Sequence, residues 1–103
     1  MNFSNRESIE REVKQTIADC LKVELNVVKD KSTFDSLGVE SLTFTEILLS
    51  LDDRYAYALG DEDIRALSRE ATYGGKQLFD YLTVKRFIAY INSKYETEAL
   101  AHT

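Results

Sequence analysis

The feature that most constrains the fold is an apolar stripe near the start of a chain that contains no proline. Ile9, Val13, Ile17 and Leu21 recur at every fourth residue, and most of the positions between them are polar or charged. This spacing puts the four side chains on one side of an α-helix and predicts a helix over about residues 5–23. Four glycines and no proline in 103 residues are too few for a turn-rich β fold. The sequence therefore predicts an all-α fold.

Further periodic segments predict the rest of a bundle. A second helix is expected from Glu40 or Ser41 to Leu59 and a shorter third helix from Asp61 to about Ala71. A last helix is expected from Thr83, a good N-cap, to Lys94 or Tyr95, with a single helical turn before it within Gln77–Leu82. The predicted apolar face of the second helix is Leu42, Ile47, Leu48, Leu51 and Tyr55, with Phe44 to one side.

Together these segments predict a small four-helix bundle of three longer helices and a short third one. The chain is expected to form a single domain whose core spans about residues 7–95, followed by a frayed tail over residues 96–103. The long connection between the first two helices allows either relative direction. In that connection, we expect the apolar residues of Val23–Val28 to pack on the bundle and Phe34 and Leu37 to turn inward.

Composition and residue inventory exclude several classes of function. A net charge of −5 disfavours sequence-independent nucleic-acid binding, and no apolar run approaches the roughly 20 residues that span a membrane. With no signal-peptide core, the cytoplasm is the expected location. His102 stands in the expected tail, where it cannot form a catalytic triad, and the lone Cys20 is expected to be a small core residue. The acids Asp61–Asp63 are expected to be helix-start residues and not cation ligands.

Ser41 is the residue whose position in the sequence best suits a chemical role. It follows Gly38, which permits a tight turn, and Glu40, and it precedes a long apolar-periodic run. Its hydroxyl is therefore expected at the start of a helix, close to backbone N–H groups. Two interpretations fit this position: an ordinary N-cap serine, or an attachment point for a phosphate, which a helix start favours. Thr43 with Glu46 also fits a capping box, so the first residue of the helix stays open.

The segment Leu37-Gly38-Val39-Glu40-Ser41-Leu42 resembles the prosthetic-group attachment motif of acyl and peptidyl carrier proteins. The similarity extends over Asp30–Leu51, including Phe34, Leu37 and Glu46, and Thr83-Val84 resembles the start of the family's last helix. In all, it covers roughly Glu7 to Tyr95. It implies a carrier with no catalytic activity and no metal, in which Ser41 holds 4′-phosphopantetheine transferred from coenzyme A. The arm's thiol would carry acyl or aminoacyl groups as thioesters for fatty acid, polyketide or nonribosomal peptide synthesis.

The resemblance also implies partners and a docking surface. The partners would be a phosphopantetheinyl transferase, an acyl-loading ligase or synthase, and acyl-transfer enzymes, all meeting a monomer. The docking residues would be Glu40, Leu42, Glu46 and Asp53; Glu46 and Asp53 are seven apart and share one outward face.

Two departures from the family pattern narrow the interpretation. Glu40 stands where the family usually has aspartate, which keeps an unmodified protein-interaction module of the same fold as the alternative. The stretch Leu59–Leu82 is longer than the usual connection and suggests a carrier for a specialised pathway. Its segment Asp61–Leu82 is expected to form a wall of a cargo cavity or a partner-specific surface, with an inert elaboration as the alternative.

Overall fold

The computed structural model describes residues 5–101, with side chains for residues 8–95, and its described part is all-α. Five α-helices follow one another along the chain: α1 Asn5–Leu21, α2 Ser41–Tyr55, α3 Asp61–Tyr73, α4 Leu78–Tyr81 and α5 Val84–Ala101. A short 3-10 turn, Leu25–Val27, follows α1. The helical-bundle prediction is confirmed, and the single turn expected before the last helix is α4. No helix among the described residues combines the length and apolar character needed to cross a membrane.

The core forms where α1 packs against both α2 and α5. Ile9, Val13 and Ile17 of the α1 stripe are buried as predicted, and Leu21 is partly buried at its end. Full burial of one such aliphatic side chain contributes about 1.5–3 kcal/mol. Most helical stability comes from such packing, because helices of this length are marginal alone. Cys20 is half-buried at the edge of this core, with its Sγ 3.7 Å from Ser50 Oγ.

Several predicted helix ends were wrong by a few residues. Helix α2 stops at Tyr55 and not at Leu59, because Ala56 takes a left-handed backbone (φ 60°, ψ 30°). Helix α1 stops at Leu21, where Lys22 has φ 59°. Helix α3 continues to Tyr73, and α5 continues to Ala101, past the predicted end at Lys94 or Tyr95. The last two residues of the expected tail, including His102, lie outside the described residues.

The long connection between α1 and α2 is tied to the start of α5. Thr33 and Thr83 form an isolated antiparallel bridge, and the Phe34 N–H donates to Leu82 O at 2.9 Å. Two further N–H groups donate back to this connection: Val84 to Ser32 O at 2.9 Å and Lys85 to Asp30 O at 3.0 Å. These bonds fix the loop that leads into α2, although the residues they join are about fifty positions apart in the sequence.

The apolar residues at the beginning of this connection behave differently from one another. Val28 is buried, as expected, but Val23, Leu25 and Val27 are exposed. The prediction that the whole patch packs on the bundle is therefore right for Val28 alone. Thr83 does cap α5, because its Oγ1 accepts the Arg86 N–H at 3.1 Å.

Candidate functional site

The loop that delivers the chain to α2 is a compact turn built on Phe34. Phe34 is fully buried, and its carbonyl accepts N–H groups from Leu37 at 3.2 Å and Val39 at 2.9 Å. Leu37 packs against the core, so both inward-turned residues are confirmed. Gly38 has φ +80°, a conformation that glycine adopts without strain. The loop therefore has a defined shape before the helix begins.

Ser41 is the first residue of α2 and is exposed to solvent. The residue before it, Glu40, is the N-cap, in an extended conformation (φ −109°, ψ 174°), and its side chain makes no capping hydrogen bond. The interpretation of Ser41 as the N-cap is therefore wrong. The Thr43–Glu46 capping box is wrong for the same reason, because the helix has already begun two residues earlier.

The start of α2 leaves backbone donors without acceptors. The first N–H bonded within the helix belongs to Phe44, which donates to Glu40 O at 2.8 Å. The N–H groups of Ser41, Leu42 and Thr43 have no acceptor among the described residues, and the Ser41 hydroxyl has no hydrogen bond there either. No acidic residue lies in the first helical turn. Open N–H groups and the positive end of the helix dipole suit an anionic phosphate, so the residues present fit a phosphodiester at Ser41.

The outward face of α2 continues from this start. Leu42 is 73% exposed and Leu49 64% exposed. Leu42 is therefore not part of the apolar face that the sequence predicted; the buried residues of α2 are Phe44, Ile47, Leu48 and Leu51. Glu46 and Asp53 are exposed, as expected, and form no ion pair within the described side chains. Successive spacings of four, three and four residues place these leucines and acids on one stripe.

Helix α3 begins on a polar cluster that sequence reasoning missed. Asp63 is buried, and its carboxylate accepts the Tyr90 hydroxyl at 2.6 Å, the Gly60 N–H at 2.8 Å and Lys94 Nζ at 3.1 Å. Lys94 Nζ also donates to Ala58 O at 2.9 Å. The cluster therefore joins the 56–60 connection, α3 and α5. The position of Asp63 three residues after Gly60 was a signal for a helix-start carboxylate, but nothing in the sequence pointed to Lys94 as its partner.

The cluster shifts the pKa values of its members. Burial acts to raise the pKa of Asp63, but hydrogen bonds from Tyr90, Gly60 and Lys94 outweigh it and hold that pKa below its usual value. Burial and the Asp63 carboxylate raise the pKa of Tyr90 to about 12. Across the described side chains, no group of three or more His, Cys, Asp or Glu residues is arranged to hold a metal ion. Asp63 is thus a structural acid, and Asp61 and Glu62 stay exposed in the first turn of α3.

Comparisons with known proteins assign the chain to a family. Residues 11–69, more than half of the chain, match the family described as a phosphopantetheine attachment site. Two curated relatives, both acyl carrier proteins of Nitratidesulfovibrio vulgaris, from strain DP4 and strain Hildenborough, are each 29% identical over 80 residues. The alignment covers 77% of this chain and 99% of each relative. No solved structure matches the chain.

The chain belongs to the phosphopantetheine-attachment family of acyl and peptidyl carrier proteins. It is accordingly a carrier and not an enzyme, and its cofactor is covalently attached 4′-phosphopantetheine. Carriers of this kind interact with a modifying transferase and with biosynthetic enzymes.

Proposed function

We propose that Ser41 carries the 4′-phosphopantetheine arm and that the loaded arm serves a specialised biosynthetic pathway. The observation that supports this most is the start of α2. An exposed serine hydroxyl without a hydrogen bond stands there beside three N–H groups that have no acceptor among the described residues. In the transfer, the Ser41 oxygen forms a bond to phosphorus, loses its proton, and displaces adenosine 3′,5′-bisphosphate from coenzyme A. The N–H groups of α2 then stabilise the charge of the attached phosphodiester.

Glu40 acts in this proposal as a recognition residue for the transferase. Its side chain is exposed and makes no cap bond, so its carboxylate is available to a metal ion or a basic residue of that enzyme. Its extended backbone also holds Ser41 at the first helical position. Glutamate retains the negative charge of the aspartate that acyl and peptidyl carrier proteins usually have at this position.

The outward stripe of α2 serves as the docking surface. Leu42 and Leu49 offer apolar contact area, and Glu46 and Asp53 offer charge for lysine or arginine residues on partner enzymes. Such exposed charges act mainly on association rate and on its salt dependence. The partners are a phosphopantetheinyl transferase, an acyl-loading ligase or synthase and acyl-transfer enzymes, each meeting a monomeric carrier.

Other features complete the proposal. The single carrier domain has its core within about residues 7–95, and the cytoplasmic location expected from the sequence stays a prediction.

Tethering the acyl group replaces free encounter by a high effective concentration at each partner. The long segment Asp61–Leu82 supports a specialised role, because it forms two helices with a connection between them and not one short element.

Intact-mass measurement tests the attachment residue. The protein is incubated with coenzyme A and a broad-specificity transferase, and it should gain the mass of one phosphopantetheine. Ser41→Ala should abolish the gain, and Ser93→Ala, which removes an exposed serine of α5, should retain it. A gain that survives Ser41→Ala contradicts the assignment. No gain with several transferases would favour the unmodified interaction module.

A further inference from the structure

Four phenylalanine rings form a cluster beneath the start of α2. They come from four different elements: Phe34 from the preceding loop, Phe44 from α2, Phe79 from α4 and Phe87 from α5. The ring centroids of Phe34 lie 5.7 Å from Phe44, 5.3 Å from Phe87 and 6.4 Å from Phe79. Phe44 lies 5.3 Å from Phe79 and 5.9 Å from Phe87. These spacings are those of rings in direct contact, so the four form one packed unit.

This ring cluster lies directly inward of the attachment residue. Phe44 follows Ser41 by three residues, less than one helical turn, and is buried. Phe79 is half-buried and completes the cluster on the α4 side. An acyl chain that turned inward beside Ser41 would meet these aromatic rings in contact with one another.

The backbone around the cluster is fastened as well. The Asp35 N–H donates to Phe79 O at 3.0 Å and the Phe34 N–H to Leu82 O at 2.9 Å. These two bonds join the loop that leads into α2 to Phe79 of α4 and to Leu82, the residue that follows α4. Opening a path between the loop and α4 would break both bonds and separate the rings at the same time.

Aromatic clusters resist such opening more than aliphatic cores do. Each ring is rigid and has only two side-chain torsions, so it cannot flatten around a guest as a methionine or leucine side chain does. Protein interiors are close-packed, so a ring displaced from this cluster would also displace the side chains around it. Inserting a chain therefore requires several elements to move together.

We propose that the cargo of this carrier is a short acyl group that stays outside the bundle, and not a long alkyl chain folded into it. The inference rests on the proposed function, in which Ser41 holds the arm. A short acyl group, aliphatic or aminoacyl, has too little apolar surface to gain from burial. Because the ring cluster keeps the acyl group out of the bundle, the carrier suits acyl groups that need no burial and remain in solvent at the end of the arm.

Direct loading with acyl coenzyme A tests the proposal. A broad-specificity transferase attaches acetyl, β-alanyl, octanoyl or dodecanoyl arms in separate reactions, and intact mass verifies each product. Thermal melting and hydrogen exchange are then measured against the protein bearing the bare arm. We expect melting temperatures that agree within about 1 °C across the series, because a chain that stays in solvent stabilises nothing. Exchange in residues 34–44 and 79–87 should also be unchanged.

A buried chain would give a different result. Each methylene group taken into the core should raise the melting temperature by roughly 3 °C or more for a domain of this size. A melting temperature that rises from acetyl to dodecanoyl, with increased protection around the ring cluster, overturns the proposal. Absence of any mass gain would instead be the failure of the attachment assignment, so the two failures are distinguishable.

A variant of the half-buried ring tests the physical cause. Phe79→Ala should open space beside Phe44, and the dodecanoyl form should then melt several degrees above the same variant bearing the bare arm. Phe79→Leu, which keeps most of the volume, should behave like the parent. If Phe79→Ala folds and still shows no dependence on chain length, the ring cluster is not what excludes the chain, and the proposal is wrong.

Discussion

Helices α2 and α3 begin in opposite ways. At the start of α2 the cap side chain makes no hydrogen bond, and three N–H groups have no acceptor among the described residues. At the start of α3 the Asp63 carboxylate accepts the Gly60 N–H and is itself bonded by Tyr90 and Lys94. An uncapped helix start costs about 1 kcal/mol relative to a capped one. The difference indicates that α3 uses its start for stability, whereas α2 leaves its start available to an anion.

The largest effect on stability should follow from removing the Asp63 carboxylate at the start of α3. Asp63→Ala removes the acceptor of three hydrogen bonds and leaves Lys94 without its carboxylate. We expect it to lower the free energy of unfolding by about 2–4 kcal/mol. Asp61→Ala, which removes an exposed acid from the same turn, should cost less than about 1 kcal/mol. Urea denaturation at pH 7 measures both, and similar losses in the two variants would contradict the difference between the helix starts.

Acid should reproduce part of the same effect. The pKa of Asp63 is held below its usual value, so its contribution is present above about pH 4 and is lost as the pH falls through the folded-state pKa. The stability gap between the parent and Asp63→Asn should therefore narrow as the pH falls from 5 to about 2. A gap that stays constant over that range would show that the carboxylate's charge contributes nothing.

A smaller effect is expected from the outward stripe of α2. Replacing Glu46 and Asp53 together by lysine should slow acyl transfer by about tenfold at low salt, because complementary charge raises association rates. The free energy of unfolding should change by less than about 0.5 kcal/mol, since both side chains are exposed. Glu24→Lys with Asp80→Lys changes net charge equally at exposed sites elsewhere and serves as the control. Equal slowing in both double variants would mean that docking lies outside the stripe.

The smallest of these effects should come from improving the N-cap of α2. Glu40→Asp supplies a better N-cap and should stabilise the protein by a few tenths of a kcal/mol to about 1 kcal/mol. Its modification should be at least as fast as that of the parent, while Glu40→Ala should be modified much more slowly. Thermal melting and a timed intact-mass assay measure the two quantities. If Glu40→Ala is modified at the parent's rate, Glu40 has no role in transferase recognition.

Much of the fold could be predicted because local pattern and packing agree. Four correct predictions depend only on the type and spacing of nearby residues: the α1 stripe, the inward side chains of Phe34 and Leu37, the turn at Gly38 and the cap at Thr83. Ser41 could be singled out for the same reason, since an exposed serine before a periodic run defines a helix start. Whether it accepts the arm depends on a transferase, which neither the pattern nor the geometry contains.

The errors arose where distant residues decide the outcome. Leu42 has the spacing of a core residue, yet it is exposed because Phe44 packs with rings from three other elements. Helix α2 ends at Tyr55 because the next residue, Ala56, has a left-handed backbone conformation, which the intrinsic preference of alanine would not predict. The Asp63–Lys94 pair joins residues thirty-one apart, and periodicity within one helix cannot reveal it.

The backbone bonds between the loop that leads into α2 and the later part of the chain limit how small a transplantable version of this carrier can be. The family match ends at residue 69, but the loop's partners are Phe79, Leu82, Val84 and Lys85. A fusion tag cut at residue 69 would retain Ser41 and lose four backbone hydrogen bonds that hold the segment in front of it. An engineered graft of this carrier onto another enzyme should therefore include α5, and its linker belongs after that helix.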